Sequence, residues 1–151
     1  MMPIARRHIT CAILSTLFYA GQAGAASPSP PLAIRGYDPV GYFTLQRAVP
    51  GDARFVYEWD EHRWQFSSAR NLELFRADPV RYAPEFANFC AVALARGEVR
   101  EANPEYWLIS DGKLYLFGKS AGPDLFRKNL AINIEHANAN RALIDPLHPS
   151  E

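Results

Sequence analysis

The chain has 151 residues, with 16 basic and 16 acidic side chains, 48% apolar residues and 13% aromatics. That is one domain's worth of chain, with enough apolar content for a single packed core. The even charge balance argues against a nucleic-acid partner, which needs a basic face, and gives no polybasic handle for anionic lipid.

The first 25 residues carry the three parts of a secretory signal peptide in order. Arg6 and Arg7 supply the positive end, Ile9 to Gly21 is uncharged and mostly apolar, and Ala23-Gly24-Ala25 places small residues where a signal peptidase cuts. The apolar run is shorter than the roughly 20 residues a membrane-spanning helix needs. Arg6-Arg7 also permits a twin-arginine reading, but His8-Ile9-Thr10 after it fits the general secretory route better. Cleavage after Ala25 implies a periplasmic or secreted protein with no membrane attachment. It leaves 14 basic against 16 acidic side chains and a single cysteine, Cys90. One cysteine cannot close an intramolecular disulfide. It is buried and inert, joined to a second copy in a homodimer, or a working thiol or ligand.

Residues 26–33, rich in proline, read as a linker; residues 34–143 read as the domain and 144–151 as a tail, with no internal repeat. Phe55, Tyr57 and Trp59 alternate with polar or smaller residues as in a strand. Asp60-Glu61-His62 turns the chain, and Arg63 to Ser67 returns as the second arm of a hairpin. Ser67-Ser68 offers a helix cap, with Leu72 and Phe75 on one helical face. Asp78 caps a second short helix with Pro79 in its first turn. Phe86, Phe89, Cys90, Ala93 and Leu94 follow helical spacing, which predicts a helix ended by Gly97. Tyr106 to Ser110, Asp111-Gly112 and Lys113 to Phe117 form a second hairpin around a type I′ turn. Pro123 to Leu143 reads as helical, with Leu125, Phe126, Leu130, Ile134 and Ala137 facing the core. Two hairpins interleaved with short helices predict a small α+β domain.

No phosphate loop, paired zinc histidines, Cys-x-x-Cys or nucleophile elbow occurs. His62, in the predicted turn, and His148, in the tail, read as solvated surface groups. His136 has no metal-ligand partner at helical spacing. Gly36 to Phe43 packs a glycine, an Asp-Pro turn starter and three aromatics into eight residues. It reads either as a tight turn feeding the core, or as a pocket wall presenting Tyr37, Asp38 and Tyr42 to a ligand. Cys90 is the one soft donor and thiol nucleophile after signal removal. An early position in its helix favours the thiolate, and burial opposes it.

Several motifs in order resemble the exported bacterial branch of the YHS-domain family. They are Gly36-Tyr37-Asp38-Pro39-Val40 with Tyr42-Phe43, then Trp64-x-Phe66-x-Ser68-x-x-Asn71 with Phe75, then Asp78-Pro79-x-x-Tyr82-Ala83-Pro84. Phe89-Cys90-Ala91 and Asp111-Gly112-Lys113-Leu114-Tyr115-Leu116 complete the set. The resemblance implies a small α+β module, metal-associated in the family's founding form. Here Gly41, Ser67 and Asn71 stand where that form carries its ligands, and neutral Ser and Asn are poor donors for soft metals. The exported branch looks like Tyr-Gly-Gly-Tyr-Cys-Ala where this chain reads Phe86-Ala87-Asn88-Phe89-Cys90-Ala91. The leading expectation is a non-catalytic binding or accessory module. Its pocket lies between the Tyr37–Phe43 segment and the helix of Cys90, and takes a copper-type metal ion on Cys90 or a small ligand beside Tyr37, Asp38, Tyr42 and Cys90. A thiol-dependent redox enzyme using Cys90, or a structural protein with an inert core cysteine, are the alternatives.

Overall fold

The computed structural model describes residues 29–145, and the expected signal peptide lies outside them. Strands β1 (Asp52–Trp59) and β2 (His62–Phe66) pair antiparallel, as do β3 (Asn103–Ser110) and β4 (Lys113–Phe117). Helix α1 (Gly41–Thr44) precedes the first hairpin. Helices α2 (Ala69–Ala77), α3 (Pro79–Tyr82) and α4 (Ala91–Ala95) lie between the hairpins, and α5 (Gly122–Lys128) and α6 (Leu130–Ala139) follow. The fold is α+β, as expected.

Local chemistry accounts for most boundaries. The Ser68 hydroxyl accepts from Asn71 N–H at the start of α2, and the Asp78 carboxylate accepts from Arg81 N–H at the start of α3, with Pro79 leading. Asp111 and Gly112 both hold positive φ, as a type I′ turn requires. In the first hairpin the turn is Asp60-Glu61, both at positive φ without a glycine. The strand therefore begins at His62, not after it. His62 pairs with Trp59 and is buried, which corrects its reading as a solvated turn residue.

The predicted helix through Phe86, Phe89 and Cys90 does not form. Ala87 adopts a left-handed conformation (φ +48), Phe89 bridges to Glu101, and Cys90 N–H donates to Arg100 O. Pairing with the 100–102 segment thus replaces helical hydrogen bonds, and α4 starts only at Ala91. Its end is as expected: Gly97, at φ +76, donates to Leu94 O while Glu98 N–H reaches Ala93 O. The predicted last helix breaks at Asn129, and Leu125 is exposed, not core-facing. The folded body also outruns the expected domain limits, because Ala33 and Ile144 are both buried.

Left-handed backbone at Ala87 costs about 1–2 kcal/mol for a residue with a Cβ. Glycine avoids that penalty and gives back part of the gain as chain entropy. Ala87→Gly is therefore expected to stabilise the fold by about 0.5–1 kcal/mol, read as a higher urea midpoint at unchanged slope.

No repeat is legible in the sequence, yet the two hairpins correspond element for element in the backbone. Each has a strand of eight residues, a two-residue turn and a strand of five, with a register shift in the first half of its long strand. The second lies 51 residues beyond the first, Asp52 matching Asn103 and Phe66 matching Phe117. The segments leading in correspond as well. Asp38 N–H donates to Val49 O as Cys90 N–H does to Arg100 O, and Gly51 N–H to Gly36 O as Ala102 N–H to Asn88 O. The bridge Tyr37–Pro50 matches Phe89–Glu101. A short helix follows each, α1 after Asp38 and α4 after Cys90.

Each half closes its own apolar cluster. Phe75 of α2 packs on Trp64 and Phe66, and Phe126 of α5 packs on Tyr115 and Phe117. Strand β4 joins the two: Leu114 and Leu116 enter the first cluster, Tyr115 and Phe117 the second. Side-chain alternation along one strand makes this division unavoidable.

Candidate functional site

The two halves place Asp38 and Cys90 at equivalent backbone positions, and the two sites differ in what fills them. Asp38 is 0% exposed. Its Oδ1 accepts from Val40 N–H at 2.9 Å and Gly41 N–H at 3.3 Å. Its Oδ2 accepts from Ser67 N–H at 2.8 Å, Ser67 Oγ at 2.6 Å and Asn71 Nδ2 at 2.7 Å. Five donors converge on one carboxylate, so its lone pairs are committed inside the protein. Gly41, Ser67 and Asn71 all take part in this hydrogen-bonded cluster.

The aromatics of this segment are committed too. Tyr42 is fully buried and donates its hydroxyl to Pro104 O at 2.9 Å. Burial, with the Tyr37, Glu105 and Asp38 charges behind it, pushes the Tyr42 phenol far above its ordinary range. Tyr37 donates to Glu105, and that bond raises its phenol as well. The expected pocket between Tyr37–Phe43 and Cys90 is therefore not formed. Asp38 and Tyr42 are turned into the first cluster, Cys90 belongs to the second, and none of Tyr37, Asp38 and Tyr42 lines the space beside the thiol.

Cys90 instead borders a hollow of about 490 Å³ opened on the other side, bounded by Val92, Ala93, Gly118 and Gly122. That volume is in the range of small-molecule sites. Gly118 follows Phe117 as Ser67 follows Phe66, so a glycine stands where the first half has its hydroxyl. A Cβ at Gly118 would sit 3.9 Å from Cys90 Sγ and 3.1 Å from Glu101 O. The bare glycine thus keeps the floor open beside the thiol. Gly122 likewise stands four residues before Phe126, as Asn71 stands before Phe75.

The rim is charged. Glu98 pairs with Arg100 at 2.8 Å, and Glu101 with Arg35 at 3.4 Å. Arg96 and Lys119 complete the charged rim and enter no ion pair among the described residues. Their positive charge is the part left uncompensated. Sequence reasoning reached Cys90 but missed Arg96, Gly118 and Lys119. The equal spacing of Phe66-Ser67 and Phe117-Gly118 from the two hairpin turns was the available signal.

A metal fits this donor set poorly. Among the described residues no three His, Cys, Asp or Glu side chains gather where they could hold an ion. Cys90 is the one soft donor at the hollow, and its uncompensated neighbours are cations. A copper-type ion asks for several imidazole or sulfur donors and is repelled by positive charge.

A second cleft of about 350 Å³ lies across the fold, between Trp59, His62 and Trp64 on one side and Ala87, Asn88 and Arg141 on the other. Arg141 spans its wall, donating to Glu85 Oε1 at 2.9 Å and Glu85 O at 3.1 Å. No described helix is long and apolar enough to cross a membrane. Compared with protein-family models, curated proteins and solved structures, the chain matches none.

Proposed function

We propose that the protein is an exported, YHS-like binding module, non-catalytic, whose small ligand occupies the hollow beside Cys90. The single observation behind this reading is the contrast between the halves. The Asp38 position is packed shut by Ser67 and Asn71, while the Cys90 position is bounded by Gly118 and Gly122 and left open. The hollow, about 490 Å³ and open to solvent, gives a small ligand room at one of the two equivalent positions and not at the other. The motif order from Gly36 to Leu116 supports the YHS-like reading, and the charged, apolar and small-residue order of the first 25 residues supports export.

The hollow reading requires the thiol to be reachable without unfolding. Iodoacetamide is expected to alkylate Cys90 in native protein, at a rate independent of low denaturant, with the modified peptide identified by mass spectrometry. Labelling that rises only in step with global unfolding would reject the hollow as a site and leave Cys90 as plain core.

A further inference from the structure

We propose that the cleft between Trp59 and Trp64 on one side and Arg141 on the other is a second ligand site, for an organic cation of the ammonium type. It is separate from the hollow beside Cys90, and no residue lines both. Trp59 and Trp64 stand on one face of the first hairpin, because Trp64 pairs with Tyr57, two residues before Trp59. Their ring centroids lie 6.0 Å apart at an interplanar angle of 50°, so the aromatic wall is angled and not flat. The volume of about 350 Å³ is in the range of small-molecule sites.

Charge decides what this cleft takes. Asp60, Glu85 and Asp145 line it, and Arg141 is the one Lys or Arg among the lining residues. Arg141 is already matched: its guanidinium donates to Glu85 Oε1 at 2.9 Å and lies over the Phe86 ring, 5.0 Å from the centroid. Lys113 reaches the same Glu85 oxygen at 3.1 Å. Asp60 and Asp145 enter no ion pair among the described residues, so their negative charge is the part left over.

The indoles and the two carboxylates favour the same ligand. Aromatic faces carry the negative side of the ring quadrupole. An ammonium group within about 6 Å of a ring centroid gains a factor of about 2 to 30 in affinity, most over tryptophan. Asp60 and Asp145 attract the same charge by Coulomb interaction. An anion would meet repulsion from both, and a neutral ligand would gain the apolar surface alone. A quaternary ammonium, with its charge wrapped in methyl groups, uses the indoles and the carboxylates together.

The probes are choline, its uncharged carbon isostere 3,3-dimethylbutan-1-ol and the anion 3,3-dimethylbutanoate, which share a body and differ in charge. The readout is the indole N–H resonances of the folded protein at about pH 8. Trp107 does not line the cleft and serves as the internal reference. Choline is expected to move the Trp59 and Trp64 signals, to leave Trp107 in place, and to bind at least about tenfold more tightly than the alcohol. The anion is expected to bind more weakly than the alcohol. Asp60→Asn combined with Asp145→Asn removes the unmatched charge. Asparagine tolerates the left-handed backbone at position 60 (φ +51), so the double variant keeps the fold. It is expected to weaken choline binding by about fivefold or more and to leave the alcohol unchanged. Equal affinity for choline and the alcohol overturns the proposal, and so does tightest binding by the anion. Choline affinity untouched in the double variant, or no probe moving either indole, overturns it as well. None of these results bears on the hollow beside Cys90, which the alkylation experiment reads separately.

Discussion

Asp38→Ala is expected to lower the stability of the fold by about 3–5 kcal/mol, the range seen when a buried charged hydrogen-bonding group is deleted. The carboxylate is sealed from solvent and accepts from Val40, Gly41, Ser67 twice and Asn71. Removing it strands donors on three separate elements: α1, the segment after β2, and α2. Each buried donor left without a partner costs about 1–3 kcal/mol, less whatever local relaxation or water entry recovers. A melting temperature lower by about 10–20 °C follows for a domain of this size. Asp38→Asn keeps one acceptor oxygen but turns an NH₂ group toward donors, so about half the loss is expected. Urea unfolding of both variants measures the effect. A loss under about 1 kcal/mol for the alanine variant would mean that the cluster is not what ties the first hairpin to α2.

Much of this fold is written in local signals. The Asp111-Gly112 turn, the Ser68 and Asp78 caps and the Gly97 terminus each work through one or two adjacent residues, and all stand where the sequence places them. The largest failure comes from long-range backbone pairing. Phe86, Phe89 and Cys90 keep helical spacing, yet Cys90 N–H is taken by Arg100 O and Ala102 N–H by Asn88 O. Spacing alone cannot distinguish an apolar stripe on a helix from apolar residues that a bridged turn folds inward. Asn129 divides the last helix in the same hidden manner, through a backbone conformation that no strong breaker announces.

The candidate site was half legible for a similar reason. Cys90 stands out by composition, as the one thiol left after the expected cleavage. Its surroundings do not, because Gly118, Arg96 and Lys119 matter only once two hairpins are laid over each other. The halves share geometry without sharing residues: Trp64 stands opposite Tyr115, Ser67 opposite Gly118, and Asp38 opposite Cys90. The correspondence lies in the backbone hydrogen bonds and not in the side chains. Tyr37, Asp38 and Tyr42 drew notice for their density of polar and aromatic groups, and that density serves the first cluster and its sealed carboxylate.

Phe75→Ala is expected to cost about 3–5 kcal/mol, the usual loss for a fully buried phenylalanine. The ring is 0% exposed and is the hub of the first cluster. Its centroid lies 5.0 Å from Trp64, 5.2 Å from Phe66, 5.7 Å from Trp59 and 6.4 Å from Tyr57. Such ring pairs add about 0.5–1.5 kcal/mol each beyond area burial. Phe126 holds the corresponding place against Tyr115 and Phe117, and Phe126→Ala is expected to fall in the same range. The variants should differ more in where they loosen the molecule than in how much. Phe75 touches Trp59 and Trp64, so its loss should change indole fluorescence while leaving native alkylation of Cys90 at its wild-type rate. Loss of Phe126, which shares the second cluster with Cys90, should speed that alkylation and leave Trp59 and Trp64 undisturbed. If either variant altered both signals equally, the two halves would be one cooperative core, and the independence of the Cys90 position from the Asp38 cluster would not hold.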